Sequence, residues 1–218
     1  MKKLATKTVL AALLGSAFMM PAMAQAEVSA NAAVTSNYLW RGFEQTDGGP
    51  AISAGLDYSS ESGFYVGTWA SNVDFADADI EVDLYGGFTG AAGSWEFDLG
   101  YVLYLYPGSD FDLDFGEVYG NFSNGGLTLG VATLANADGA DFGDSIYLSA
   151  DYAMTIQSDI EIGFHVGSYT GDFVGEDAID FGVSASKSGF TLGITKLSQD
   201  GGDEDAKVYV SYSRDFAL

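Results

Sequence analysis

The stretch Ser94-Trp95-Glu96-Phe97-Asp98-Leu99-Gly100-Tyr101-Val102-Leu103-Tyr104-Leu105-Tyr106 decides the fold. Read as a strand, it puts Trp95, Phe97, Leu99, Tyr101, Leu103 and Leu105 on one side and Glu96, Asp98, Gly100, Val102, Tyr104 and Tyr106 on the other, because successive side chains of a strand point to opposite faces. One face suits hydrocarbon and the other suits water. The same two-faced ribbon recurs from Glu27 to Phe216, which points to an all-β chain: a transmembrane antiparallel β-barrel with a polar interior.

Twelve strands are expected, at approximately 28–43, 50–59, 63–71, 79–89, 94–106, 114–123, 126–134, 144–154, 158–169, 177–186, 189–197 and 206–216. Short joins carrying Gly, Asn and Ser, such as Ser60-Glu61-Ser62, Asn124-Gly125 and Lys187-Ser188, suit tight hairpins. They alternate with longer joins at 44–49, 72–78, 107–113, 135–143, 170–176 and 198–205. An even strand number with short periplasmic turns and longer extracellular loops is the habit of outer-membrane barrels.

The chain's first 24 residues read as a cleaved secretory signal peptide. Lys2, Lys3 and Lys7 precede an apolar run from Val9 to Met20, and Ala22-Met23-Ala24 supplies small residues for cleavage after Ala24, with Ala26 as the other choice. Residues 25–218 are then the barrel. Removing the leader takes three of the eight basic residues and none of the 31 acids, leaving a net charge of −26. Such a chain repels nucleic acid and attracts cations. There are no cysteines, so closure of the sheet, not a disulfide, must supply rigidity.

The apolar face includes Ile52, Leu56, Ile80, Leu84, Leu148, Phe164, Phe181, Leu192 and Val210. In strand three Phe64 and Val66 are set outward, against Tyr65 and Trp69. The opposite face collects Asp57, Glu81, Asp83, Glu96, Asp98, Glu117, Asp151, Glu161, His165 and Asp180. Together with Arg41 these are the expected pore-lining residues. Tyr38, Trp40, Trp95 and Phe190 are placed in interfacial girdles. Twelve strands spaced about 4.8 Å apart and tilted about 40° make a cylinder roughly 24 Å across. Inward side chains narrow that to a small channel or fill it. Carboxylate rings favour cations in an open pore; in a filled one they solvate the interior and pair with Arg41, Tyr85, Tyr104 and Tyr119. Arg41 is the only cation between the leader and Lys187, and stands opposite a carboxylate such as Asp57 or neutralises an acid near the rim.

No catalytic residues, cofactor or metal site are assigned. His165 is the single histidine, shares parity with Glu161 and Gly163, and has no serine in a nucleophile setting. The loop acids include Asp110-Phe111-Asp112-Leu113-Asp114-Phe115-Gly116, which opens like a calcium loop and lacks the later bidentate Glu. They read as solvated loops.

At Thr35-Ser36-Asn37-Tyr38-Leu39-Trp40-Arg41-Gly42-Phe43-Glu44-Gln45-Thr46-Asp47-Gly48-Gly49-Pro50-Ala51 the chain resembles the first strand and loop of the TorF family, which is described as porins. Two further blocks agree, from Ser62 to Phe75 and from Glu81 to Gly87. The resemblance implies an outer-membrane barrel described as a porin and carries no catalytic residue or substrate. The last strand, with Val208, Val210, Tyr212 and Phe216, resembles the alternating signal read by barrel-assembly machinery, although Arg214 interrupts it and Ala217-Leu218 extend past the aromatic.

The function expected is a small, cation-preferring diffusion channel, not an enzyme. Its partners are outer-membrane lipid and lipopolysaccharide, the assembly machinery and small hydrophilic cationic solutes, with no nucleic acid. Two other architectures fit the composition. One is a closed structural or surface-interaction barrel, marked by a lumen crossed by aromatics and Arg41. The other is a soluble ligand-binding barrel, marked by apolar residues facing inward.

Overall fold

The computed structural model describes residues 26–218 apart from Val174, Asp203 and Glu204. The expected leader, residues 1–24, and its cleavage point lie outside the described residues. Fourteen strands follow in chain order: β1 (Glu27–Thr35), β2 (Leu39–Trp40), β3 (Phe43–Glu44), β4 (Ala51–Ser59), β5 (Phe64–Phe75), β6 (Ala78–Ala92), β7 (Trp95–Leu105), β8 (Phe115–Asn124), β9 (Leu127–Ala137), β10 (Ile146–Ile156), β11 (Ile160–Thr170), β12 (Ala178–Lys187), β13 (Phe190–Gln199) and β14 (Lys207–Ala217). All but β2 and β3 form one closed antiparallel ring, sealed where β1 pairs with β14 on one side and β4 on the other. The seam is regular: Ala32 lies opposite both Arg214 and Ala54.

Twelve barrel strands are the number the alternation predicts, and most of the boundaries agree to within a few residues. The first strand is the exception. It was expected to run to residue 43, but β1 ends at Thr35, and 36–50 leaves the wall and folds a small hairpin, β2–β3, into the interior.

Closure explains the sidedness. Each wall strand pairs with a neighbour on both sides, so the outer face can be apolar without leaving an edge. Ile52, Phe64, Val66, Leu192 and Val208 are all more than half exposed on that face. Val102, Tyr104, Glu81, Asp83, Glu117 and Asp180 are buried on the inner one. The setting of Phe64 and Val66 outward therefore holds. An acidic and tyrosine-rich inside with an apolar outside is the reverse of a soluble ligand-binding barrel.

An arginine in the apolar outer band separates a lipid-facing wall from a hydrated one. Val183 points outward near the middle of β12. Val183→Arg is expected to destabilise the barrel by about 2–4 kcal/mol in lipid vesicles, the midplane value for such a substitution. Equilibrium unfolding from vesicles measures this, and a loss below about 0.5 kcal/mol, the usual surface range, would put that face in water.

Candidate functional site

The hairpin begins where the wall stops pairing with itself. Ser36 N–H donates to the Val210 carbonyl at 2.9 Å, and Ser36 Oγ accepts from the Val210 amide at 3.0 Å. Leu39 pairs with Glu44 and Trp40 with Phe43, which leaves Arg41 and Gly42 as a two-residue turn with φ of 50° and 82°. Positive φ at both positions is the geometry that tight hairpins favour. Glycine at 42 is required twice over, by that φ and by the close approach of the wall beside the hairpin's root. An ideal Cβ there would lie 2.9 Å from Cβ of Asp180 on β12 and 3.0 Å from Cδ1 of Leu197 on β13. The turn thus lies against β13 and β12, the strands next to the hairpin's root at β14.

Its base is tied on several sides. Asn37 Nδ2 donates to Glu44 Oε1 at 2.6 Å, and Lys207 Nζ on β14 lies 3.2 Å from Glu44 Oε2. The Gln45 carbonyl accepts from the Asp74 amide at 2.7 Å, at the long-loop end of β5. Thr46 Oγ1 accepts from the Tyr38 amide at 3.1 Å and donates to the Gly49 carbonyl at 2.6 Å.

Two side chains fasten the hairpin to wall acids. Tyr38 Oη donates to Glu81 Oε1 on β6 at 2.8 Å. Burial, with Glu81 and Asp83 nearby, pushes the Tyr38 phenol well above its ordinary value, so it donates. Arg41 Nη1 and Nη2 reach Glu117 Oε1 and Oε2 on β8 at 2.8 and 2.6 Å, a bidentate pair. Its guanidinium carbon lies 4.3 Å from the Trp40 and Tyr147 ring centroids and 4.8 Å from that of Tyr169, inside the range for cation–π attraction. Burial alone lowers the proton affinity of Arg41, but Glu117 outweighs it and raises it, so the charge is kept. Trp40 packs edge-on against Tyr104, Phe115 and Tyr169.

These contacts correct three expectations. Tyr38 and Trp40 are not in a lipid girdle: both are carried into the lumen, where Tyr38 is buried. Of the two places expected for Arg41, the one opposite Asp57 fails, since Asp57 Oδ1 accepts from Tyr85 Oη at 2.5 Å; Arg41 pairs instead with Glu117, an acid near the long-loop end of β8. The long first strand fails because 36–50 leaves the wall. Trp95 and Phe190, in contrast, stand exposed on the outer face at the short-turn end.

Around the hairpin the inner wall is sealed. Ala51, Ser71, Glu81, Val102, Glu117, Leu134, Tyr147, Tyr169, Asp180, Thr195 and Tyr209, from eleven successive barrel strands β4 to β14, are all buried. The half nearer the short turns holds a looser polar lining. Asp98 Oδ1 accepts from Tyr65 Oη at 2.6 Å, and Tyr65 Oη is hydrogen-bonded to Tyr119 Oη. Asp57, Tyr65, Tyr85 and Tyr119 are only half-buried. Between the two levels, His165 Nδ1 lies 2.6 Å from Asp151 Oδ1, and His165 Nε2 lies 3.0 Å from Tyr147 Oη and 3.2 Å from Asp180 Oδ1. Gly167 leaves the room that Tyr147 and Asp180 occupy.

The structure therefore brings Arg41 to Glu117 and joins Asp151, His165 and Asp180 in one network. Glu81 and Asp83 lie on the same face of β6, and Asp83 Oδ1 is buried without a hydrogen-bond partner. Asp57 and Asp98 belong to separate tyrosine networks. Glu96 follows the inner parity of β7 but is exposed at the short-turn rim, and Glu161 is half-buried at the same end of β11. Sequence reasoning did not single out Tyr147 and Tyr169. Their signal was inward parity with Asp151 and with His165, respectively, on β10 and β11. No set of three or more His, Cys, Asp or Glu side chains among the described residues is arranged to hold a metal ion.

Residues 20–216 match the model of a bacterial protein family of unknown function, Gcw_chp, and the chain belongs to that family. The blocks that resemble the TorF family fall inside the matched region. No curated protein matches. Among solved structures, the KdgM porin superposes with a TM-score of 0.57 at 9% identity, covering 87% of this chain and 99% of that one. The KdgM porin in complex with disordered oligogalacturonate gives 0.53 at 7% identity, covering 88% and 99%. The NanC porin gives 0.47 at 10% identity, covering 85% and 97%. The fold is a porin-like twelve-strand barrel.

If the ion pair holds the hairpin in place, neutralising Glu117 should free it. The chain has no cysteine, so Leu39→Cys introduces one thiol on the hairpin strand β2 that leads to the turn, where Leu39 is 3% exposed. Adding Glu117→Gln removes a charge-assisted pair of about 1.5–3 kcal/mol, so labelling of Cys by a water-soluble maleimide should accelerate at least tenfold. An unchanged rate would mean that the hairpin is seated by its backbone ties alone.

Proposed function

We propose that this member of the family is an outer-membrane diffusion channel that prefers cations, shut at its long-loop end by the 36–50 segment. The observation that carries the proposal is that the obstruction is a separate hairpin, not the wall: the wall behind it is an acid-lined ring of porin-like size. Asp57, Glu81, Asp83, Asp98, Glu117, Asp151, Glu161 and Asp180 line that ring, with Glu96 at its rim, against Arg41, Lys207 and His165. Fixed carboxylates in a narrow, low-dielectric lumen raise the local concentration of cations and exclude anions.

The sign of the lumen also bears on the solute. Oligogalacturonate is a chain of carboxylates, and a KdgM porin has been captured with it. An interior with this excess of acid repels such a polyanion, so we assign the channel small hydrophilic cations. The outer-membrane setting rests on the exposed apolar band and the expected leader. Lipid and lipopolysaccharide are then its surroundings, and β14, with Val208, Val210 and Phe216 exposed, is the strand offered to the assembly machinery. No enzymatic chemistry is assigned: His165 is held between two carboxylates and a phenol, and no serine is hydrogen-bonded to it in that set.

One observation favours the other architecture, a closed scaffold: the burial of inward residues in eleven barrel strands around Trp40 and Arg41. Conductance decides between them. Wild-type protein in a planar bilayer under a potassium chloride gradient is expected to open rarely, with a cation-selective reversal potential. Arg41→Ala should raise the open fraction roughly tenfold or more, since each 1.4 kcal/mol taken from the closed state is a factor of ten. Asp57→Asn with Asp98→Asn should weaken the selectivity. Silence from both wild type and Arg41→Ala, in protein shown to be folded and inserted, would establish the closed scaffold instead.

A further inference from the structure

The guanidinium of Arg41 is enclosed by one carboxylate and several aromatic faces, most of them from the barrel wall. Glu117 on β8 offers two carboxylate oxygens at 2.8 and 2.6 Å. Tyr147 on β10 and Tyr169 on β11 offer ring faces at 4.3 and 4.8 Å, set 84° apart. Tyr104 on β7 donates a longer contact to Glu117 Oε2 at 3.5 Å, and Asp180 on β12 accepts from Tyr147 Oη at 3.0 Å, which fixes that ring. Only Trp40 in this cage comes from the hairpin itself.

A seat for a plug does not need this chemistry. Apolar contacts such as those of Leu134 and Ala178 bury surface at lower cost, and a buried ion pair is often no more stabilising than a well-packed apolar substitute. What a bidentate carboxylate between aromatic faces adds is selectivity for a charged, planar, multi-donor group. The tip that presents Arg41 is a two-residue turn with little structure of its own. Its detachment would leave Glu117, Tyr147 and Tyr169 facing the lumen.

We infer that the Glu117–Tyr147–Tyr169 cage is the solute-binding site of the channel, that its ligands are guanidinium-type organic cations, and that Arg41 occupies it as an intramolecular stand-in which a solute displaces. The inference rests on the proposed channel and names its substrate class. Solute and plug then compete for one site, so a ligand that binds also unfastens the hairpin.

Methylguanidinium is the probe, with tetramethylammonium as an equally charged comparator that has no N–H donors. In the folded, detergent-solubilised barrel, methylguanidinium should quench or shift tryptophan fluorescence saturably at millimolar concentration in Arg41→Ala. Adding Glu117→Gln should weaken this at least tenfold, tetramethylammonium should bind at least tenfold more weakly, and wild type should require higher concentration because Arg41 competes. Arg41→Gln keeps more of the side-chain stem and serves if Arg41→Ala does not fold. Absence of saturable binding in the folded variants, or equal binding of the two cations, overturns the cage. The readout is independent of conduction. Binding without conductance would sink the channel, and with it the solute role, while leaving a cation cage. Conductance without binding would sink the cage and leave the channel.

Discussion

A sheet whose outer face is apolar cannot afford an open edge, and the rest of this molecule follows from that constraint. An unpaired amide or carbonyl in hydrocarbon loses several kcal/mol. β1 must therefore find β14, as it does through seven paired positions from Ser29 to Thr35. Once the ring is closed, strict alternation leaves each side chain no choice of side. Leu56 and Tyr58 go to the outside with Asp57 between them facing in, and the pattern repeats around the barrel. The acidity of the interior is thus coupled to the apolarity of the exterior through the backbone, not through any direct contact between them.

That interior has too few cations to pair its acids, and the structure handles the excess in three ways. Tyrosine hydroxyls donate to Asp57, Glu81 and Asp98. His165 is shared between Asp151 and Asp180. Glu117, buried to 1% exposure, receives the one guanidinium that reaches the lumen. These solutions differ in permanence. The tyrosines and His165 are anchored in the wall and stay with their partners as long as the barrel stands. Arg41 sits on a loop and does not share that permanence, which makes its pair the natural point of change.

The barrel was legible in the sequence because period-two alternation, strand length and alternating loop length all agree, as in 94–106, which becomes β7 flanked by a tight turn and a long loop. The hairpin was not legible because the same alternation runs on past Thr35. Tyr38 and Trp40 keep the beat of a strand, and parity cannot distinguish a wall crossing from a ribbon that turns after two pairs. The local signals were present: Ser36-Asn37 at the exit, Arg41-Gly42 between paired residues, and Asp47-Gly48-Gly49 before β4. Parity also gathered the lumen acids correctly as a face but could not say which of them meet. Contacts such as Arg41 with Glu117, 76 residues apart, depend on barrel curvature and on where the hairpin lands.

The position of the seal has a mechanical consequence. The hairpin blocks the end with the long loops, while the inner face toward the short turns keeps half-exposed Asp57, Tyr65, Tyr85 and Tyr119. In the channel we propose, a cation entering from the short-turn side meets half-exposed Asp57 before it meets the plug. One arriving from the long-loop side meets the plug first. Its root is tied by backbone bonds to Val210 and Asp74, by Lys207 to Glu44 and by Tyr38 to Glu81, whereas its far end is held by Arg41 at Glu117. Backbone ties to Val210 and Asp74 are the harder to lose, since those residues sit in strands of the barrel wall. The opening we propose is therefore a swing about the root with the tip released, and the force that holds the tip is the attraction of one arginine for a carboxylate and two tyrosine faces.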